Sequence, residues 1–187
     1  MNHKNNKRSE ATKNKIKQAL VEMLKEQDIS KITVMALCEQ AEINRSTFYN
    51  HYSSPKSILR GMQKEFLHMV TTYIQNTLDN SPALSQEITT NLMCEINCFI
   101  KDNLKICKVL SDVRLCPDLP AALFNNPTIR QFLSLCLTGD YSENEKDYNY
   151  QFIFRGIFHT LGLWMEKDCE NSPEEVATLI DRIICKF

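Results

Sequence analysis

Apolar side chains recur at spacings of three and four along most of this chain, whereas the strict alternation of a half-buried strand is hard to find. Ile16, Leu20, Met23 and Leu24 form one such stripe and predict a helix from Ser9 to Gln27. Val34, Leu37 and Cys38 form a short second one, with Thr33 placed as its N-cap. Ala41-Glu42-Ile43 reads as a turn, after which Asn44 caps a third helix with Phe48 facing inward. From Ser54 a long helix runs to Thr77 on Ile58, Met62, Phe66, Met69, Val70, Tyr73 and Ile74, until Asn80-Ser81-Pro82 breaks the pattern. Ser85 to Asn103, Lys105 to Val113 and Thr128 to Leu137 read as three further helices. Pro117 and Pro120 interrupt between the second and third of these, and Gly139-Asp140 closes the third.

The last two segments differ in kind. Asp147–Lys167 is apolar on more than one face, through Phe152, Phe154, Ile157, Phe158, Leu161, Leu163 and Trp164 among others, and such a helix must be covered on both sides. After the loop Asp168–Asn171, Ser172-Pro173-Glu174-Glu175 is a capping box with Pro at the first helical position. Val176, Leu179, Ile180, Ile183 and Ile184 then make a one-sided stripe. Two readings stand: the pair meets a second copy in a four-helix interface, or it completes the core of one chain.

Composition sharpens this picture in three ways. With 187 residues, four glycines and no strand-like run, the chain is expected to be all-α, in one or two domains. Its charge of −1 hides an asymmetry: residues 1–60 carry 11 basic side chains against 6 acidic ones, and residues 61–187 carry 11 against 17. A basic front on an acidic body suits a modular nucleic-acid binder, because phosphate contacts supply most non-specific affinity, although a solvated basic tail has the same composition. No Gly-rich phosphate loop, nucleophile elbow or spaced Cys/His/carboxylate set speaks for an enzyme.

The N-terminus MNHKNNKRSE lacks the apolar core of a signal peptide, and Ile157–Met165, broken by His159 and Thr160, is too short to span a bilayer. A cytoplasmic protein without a membrane segment is therefore expected, and its eight cysteines should be mostly reduced thiols. Cys94 and Cys98 stand one turn apart, but no further His or Cys pair with ligand spacing accompanies them, so neither a metal site nor a cofactor is expected.

The densest chemistry lies in Ile32–Leu59, where Arg45, Ser46, Thr47, Tyr49, Asn50 and His51 crowd one short helix. The order Ala41, Ile43, Asn44, Arg45, Thr47, Phe48, Tyr49, His51, Tyr52 and Leu59 resembles the DNA-binding region of the TetR family of bacterial transcriptional regulators, and the match reaches back over the first helix. Two positions depart from that pattern. Glu42 stands where the family usually has a turn glycine, and Pro55 where it usually has a lysine, one residue before Lys56.

The resemblance implies an N-terminal three-helix helix-turn-helix head and a C-terminal helical body. Residues 1–8 would be a mobile tail, 9–60 the DNA-binding domain, and 61–187 an effector-binding and dimerisation domain. Arg45 is placed to meet a guanine edge in double-stranded operator DNA, and Thr47 a thymine methyl or a phosphate. Ser46 and Asn50 add hydrogen bonds, while Tyr49 and His51 hold phosphate oxygens by resemblance, Tyr49 having packing on the first helix as its alternative. Thr33, Asn44 and Lys56 complete the set.

The corresponding terminal helices build a homodimer in that family, which nominates Phe152, Gly156, His159 and Leu163 from one helix and Val176, Ile180, Ile183 and Ile184 from the other. A small-molecule effector pocket is implied in the body. Met93, Cys94, Phe99, Phe124, Phe132, Cys136 and Phe158 are equally good core residues, so no ligand site is assigned. Repression is the expected sign, since a dimer seated on a promoter blocks polymerase unaided. A co-regulator acting through a protein partner, with weak or no DNA binding, is the alternative.

Overall fold

The computed structural model describes residues 3–81, 85–137 and 141–184, with side chains from Lys7 to Ile183. Among the described residues every regular element is a helix. Gly139 and Asp140, expected to close a helix, and Pro82 lie outside them.

The head is α1 (His3–Met23), α2 (Val34–Gln40) and α3 (Arg45–Tyr49). Helix α1 begins ahead of Ser9, where the apolar stripe alone would start it, because nothing in His3–Arg8 breaks a helix. Thr33 Oγ1 accepts the Ala36 N–H at 3.2 Å, satisfying an orphan donor at the start of α2. At the other end Glu42 takes φ 54°, and the Ile43 N–H reaches back to the Cys38 carbonyl at 2.9 Å. This left-handed close is a Schellman motif made without glycine. Ile16, Leu20, Leu37 and Phe48 are fully enclosed at the centre of the head.

Helix α4 (Pro55–Asn80) starts in the head and ends in the body. Ser54 and Ser57 cap each other reciprocally, and Pro55 occupies the first helical position, where its missing N–H costs nothing. At 26 residues α4 is about 39 Å long. The boundary placed at residues 60 and 61 falls inside this continuous helix.

The body is α5 (Gln86–Asp102), α6 (Leu104–Ser111), α7 (Leu119–Phe124), α8 (Pro127–Cys136), α9 (Glu143–Glu166) and α10 (Pro173–Ile184). Helix α7 was hidden by its prolines: Pro120 sits in its first turn, where proline is tolerated, so the residue that looked like a breaker is part of a start. Helix α9 begins earlier than Asp147 because Ser142 and Glu145 form a second capping box. The Ser172–Glu175 box opens α10 as its sequence predicts, with the Ser172 N–H on Glu175 Oε2 at 2.8 Å. Helices α5 and α10 pack along each other, and α4 lies against α5 and α8.

Candidate nucleic-acid interface

Helix α3 is only five residues long, so its side chains need outside help to hold their positions. Asn44 Oδ1 accepts the Thr47 N–H at 2.8 Å and the Ser46 hydroxyl at 2.9 Å. Phe48, wholly buried, anchors the inner side. Arg45 and Tyr49, and likewise Ser46 and Asn50, are four apart and share the face that remains. Arg45, Ser46, Tyr49 and Asn50 are exposed there, with Thr47 and His51 half-buried at its margin.

Tyr49 is 58% exposed, its ring edge-on to Phe48 at 5.5 Å, so packing under α1 is not its role. Tyr52 is the core aromatic instead. Burial, followed by the negative fields of Glu65 and Glu10, pushes its phenol up to about 12. Gly61 makes room for it: a Cβ there would stand 3.3 Å from Tyr52 Cε1.

Thr33 and Lys56 are exposed at the first turns of α2 and α4, where helix N-termini present free N–H groups. Thr33 and Asn44 spend side-chain oxygens on their own caps, which makes positioning their visible work. No hydrogen bond or ion pair among the described residues holds the Arg45, Asn50 or Lys56 side chains. The early lysines divide differently. Lys13 pairs with Glu10 at 2.9 Å. Lys17 is buried and paired with Glu65 of α4, which fastens the head to its connector rather than to solvent or phosphate.

At the far end, α9 and α10 present apolar side chains that stay exposed among the described residues. Phe152 is 61% exposed, and Leu163, Leu179 and Ile183 are exposed with it. Gly156 and His159 are exposed on the same helix as Phe152, and a Cβ added to Gly156 would meet nothing within 4 Å. Val176 and Ile180 correct the sequence expectation. They are 5% and 2% exposed, on the stripe that α10 turns into its own chain's core, so their surface is already used. Leu179, one position before Ile180, holds the outward place that was assigned to them. The Ile184 side chain lies outside the described residues.

Inside the body is a cavity of about 100 Å³ walled only by apolar side chains, among them Phe66, Val70 and Ile74 of α4, Ile96 of α5, and Phe154 and Phe158 of α9. Met93 and Phe132 also line it, whereas Cys94, Phe99, Phe124 and Cys136 do not. Phe154 and Phe158 also line an open cleft of about 700 Å³ that carries Arg155, His159 and Gln151. Against the expectation of no metal ligands, the fold brings Glu174 to Cys94 and Cys98, with one ligand atom of each within 4.8 Å of the others. Sequence spacing could not show it, because Glu174 arrives from α10.

Residues 1–106 match the model of a family described as a family of unknown function, DUF6262. No curated protein matches the chain. Among solved structures it is similar to a TetR transcriptional regulator from Streptococcus agalactiae 2603V, with 20% identity and a TM-score of 0.60 over 96% of this chain and 97% of that one. It is also similar to the fatty acid degradation regulator FadR from Bacillus halodurans, with 14% identity and a TM-score of 0.67 over 93% and 94%. Thermus thermophilus FadR, a TetR-family transcriptional repressor solved with lauroyl-CoA, matches with 14% identity and a TM-score of 0.58 over 92% of each chain. These likenesses establish an all-α, TetR-like fold over more than nine-tenths of the chain.

Proposed function

The chain belongs to the family of unknown function DUF6262, and from its fold and its exposed α3 edge we propose that it is a DNA-binding transcriptional regulator. It acts as a homodimeric repressor on a palindromic operator and is released by a small-molecule ligand. The observation that carries this reading is the Arg45-Ser46-Thr47 edge, capped by Asn44, anchored by Phe48 and otherwise without side-chain partners among the described residues. Arg45 reads a guanine edge, an interaction of about 1–3 kcal/mol per half-site. Tyr49, Asn50, His51 and Lys56 hold backbone and sugar, and Thr33 and Asn44 fix the two helices that carry them.

A single head reads too few bases for specificity, and the open apolar face of α9 and α10 supplies the second one. Phe152, Gly156, His159, Leu163, Leu179 and Ile183 pair with their copies, setting two α3 helices about 34–36 Å apart or a multiple of that. Helix α4 joins the two ends of the mechanism. It starts beside the reading edge and walls the body cavity with Phe66, Val70 and Ile74. A ligand that enlarges the cavity tilts α4 and changes the separation of the heads. The bound molecule must favour one separation by its differential affinity, typically about 1–3 kcal/mol. Among the described residues no helix is long and apolar enough to cross a membrane.

Gel-shift of the purified chain on DNA upstream of its own gene tests the proposal. The wild type is expected to retard a discrete fragment, and Arg45→Ala to lose that band while sedimenting as the same dimer. A dimer that ignores every promoter fragment offered, or an Arg45→Ala protein that binds as tightly as the wild type, overturns it.

A further inference from the structure

Helix α5 carries two thiols one turn apart, Cys94 and Cys98, and α10 begins beside them with Glu174. One ligand atom from each lies within 4.8 Å of the other two. A tetrahedral ion with metal–sulfur bonds of about 2.3 Å and a metal–oxygen bond of about 2.0–2.2 Å separates its ligands by about 3.5–3.8 Å. Small rotamer adjustments close that difference. We propose that Cys94, Cys98 and Glu174 form a site for a thiophilic divalent metal ion of the zinc type, which staples α5 to α10.

The chemistry of the donor set selects the ion. Two thiolates and one carboxylate suit zinc and its softer neighbours and disfavour magnesium or calcium, which seek oxygen. Cys94 and Cys98 are half-buried and Glu174 is exposed, so an ion can enter from solvent and keep water as its fourth ligand. The frame around the site is set without the ligands themselves. Asn97 donates from Nδ2 to the Pro173 carbonyl at 3.0 Å, and the Thr89 hydroxyl meets Asp181 Oδ1 at 2.7 Å, holding α5 against α10 on either side.

Burial first, then Cys98 and Glu174, pushes Cys94 up to about 11. Metal binds thiolates, so loading releases the thiol protons to solvent, and two thiolates with one carboxylate around a divalent ion leave the site with one net negative charge. Lys101, whose positive field already reaches Glu174, faces that charge. The staple lies at the start of the helix whose outer face carries Leu179 and Ile183, so an occupied site stiffens the α5–α10 pair beneath the dimer surface.

The test uses the full chain, reduced and stripped of metal, with no DNA present, so its outcome is independent of the operator reading. Titration with Co²⁺ is expected to give a thiolate-to-metal charge-transfer band that saturates at one ion per chain, and Zn²⁺ to displace it and raise the Tm. Cys94→Ser and Cys98→Ser are each expected to lose the band, whereas Cys136→Ser keeps it. Glu174 is exposed, so Glu174→Gln retains the fold whatever the cysteine variants do; it should keep a weakened band and bind Zn²⁺ about tenfold or more less tightly. A band that survives in folded Cys94→Ser or Cys98→Ser protein, unchanged zinc affinity in Glu174→Gln, or a wild type without the band overturns the site.

Discussion

Glu42 shows how much of a site a single residue can both reveal and conceal. A non-glycine side chain at φ 54° is strained by about 1 kcal/mol, yet the Schellman bonds that close α2 require that backbone. Glu42→Gly should therefore raise stability by up to about 1 kcal/mol and the Tm by about 2–4 °C, read in a thermal melt. An unchanged or lower Tm would show that the strain is already relieved. Arg45, a few residues on, is the opposite case: no hydrogen bond or ion pair among the described residues restrains it, and its exposure was legible because a polar block beside an inward-facing Phe48 has no structural use. Lys17 of α1 was illegible by contrast. Its burial against Glu65 depends on α4, 48 residues away in sequence.

Elements were legible to the extent that their signals are local. Thr33, Asn44, Ser54 and Ser172 each start a helix where their residue type predicts it. Helix α7 and the first turn of α9 were missed although Pro120 and the Ser142–Glu145 pair carried the needed signals. In α9 two glycines, Gly156 and Gly162, stand where a Cβ would meet nothing within 4 Å among the described residues, and Gly156 lies on the face of Phe152. Gly156 sits mid-helix, where glycine costs about 1 kcal/mol relative to alanine. In the proposed homodimer, close approach of a second backbone would use the open space beside it. Gly156→Leu should leave helix content and Tm at or above wild type and shift the dimer toward monomer in sedimentation. A variant that dimerises as tightly as the wild type would remove Gly156 from the interface.

Across the whole molecule, one long helix couples three regions. Lys17–Glu65 ties α1 to α4, Lys105 reaches Glu22 from α6 at 2.9 Å, and α4 then runs on as a wall of the apolar cavity. The head is thus braced against the part of the body that a ligand would distort. Filling the cavity should separate reading from response. Ile96→Phe, at an overpacking cost of about 1–3 kcal/mol, is expected to keep operator binding and to abolish uptake of an apolar fluorescent probe that the wild type binds. If the variant still takes up the probe with wild-type affinity, the site of uptake lies elsewhere, with the open cleft beside Arg155 and His159 the next to test.

Periodicity, caps and the polar block of α3 are properties of neighbours in the chain, so sequence by itself determined the helical class, the head and its exposed polar edge. Three-dimensional packing decided which face of each body helix is spent. Val176, Leu179 and Ile180 share one stripe on a helical wheel, yet Val176 and Ile180 are buried while Leu179 between them stays exposed. Glu174 joins Cys94 and Cys98 only because α10 folds back along α5. Contacts between elements distant in sequence are settled by which surfaces can be covered together, and no stretch of residues read alone contains that information.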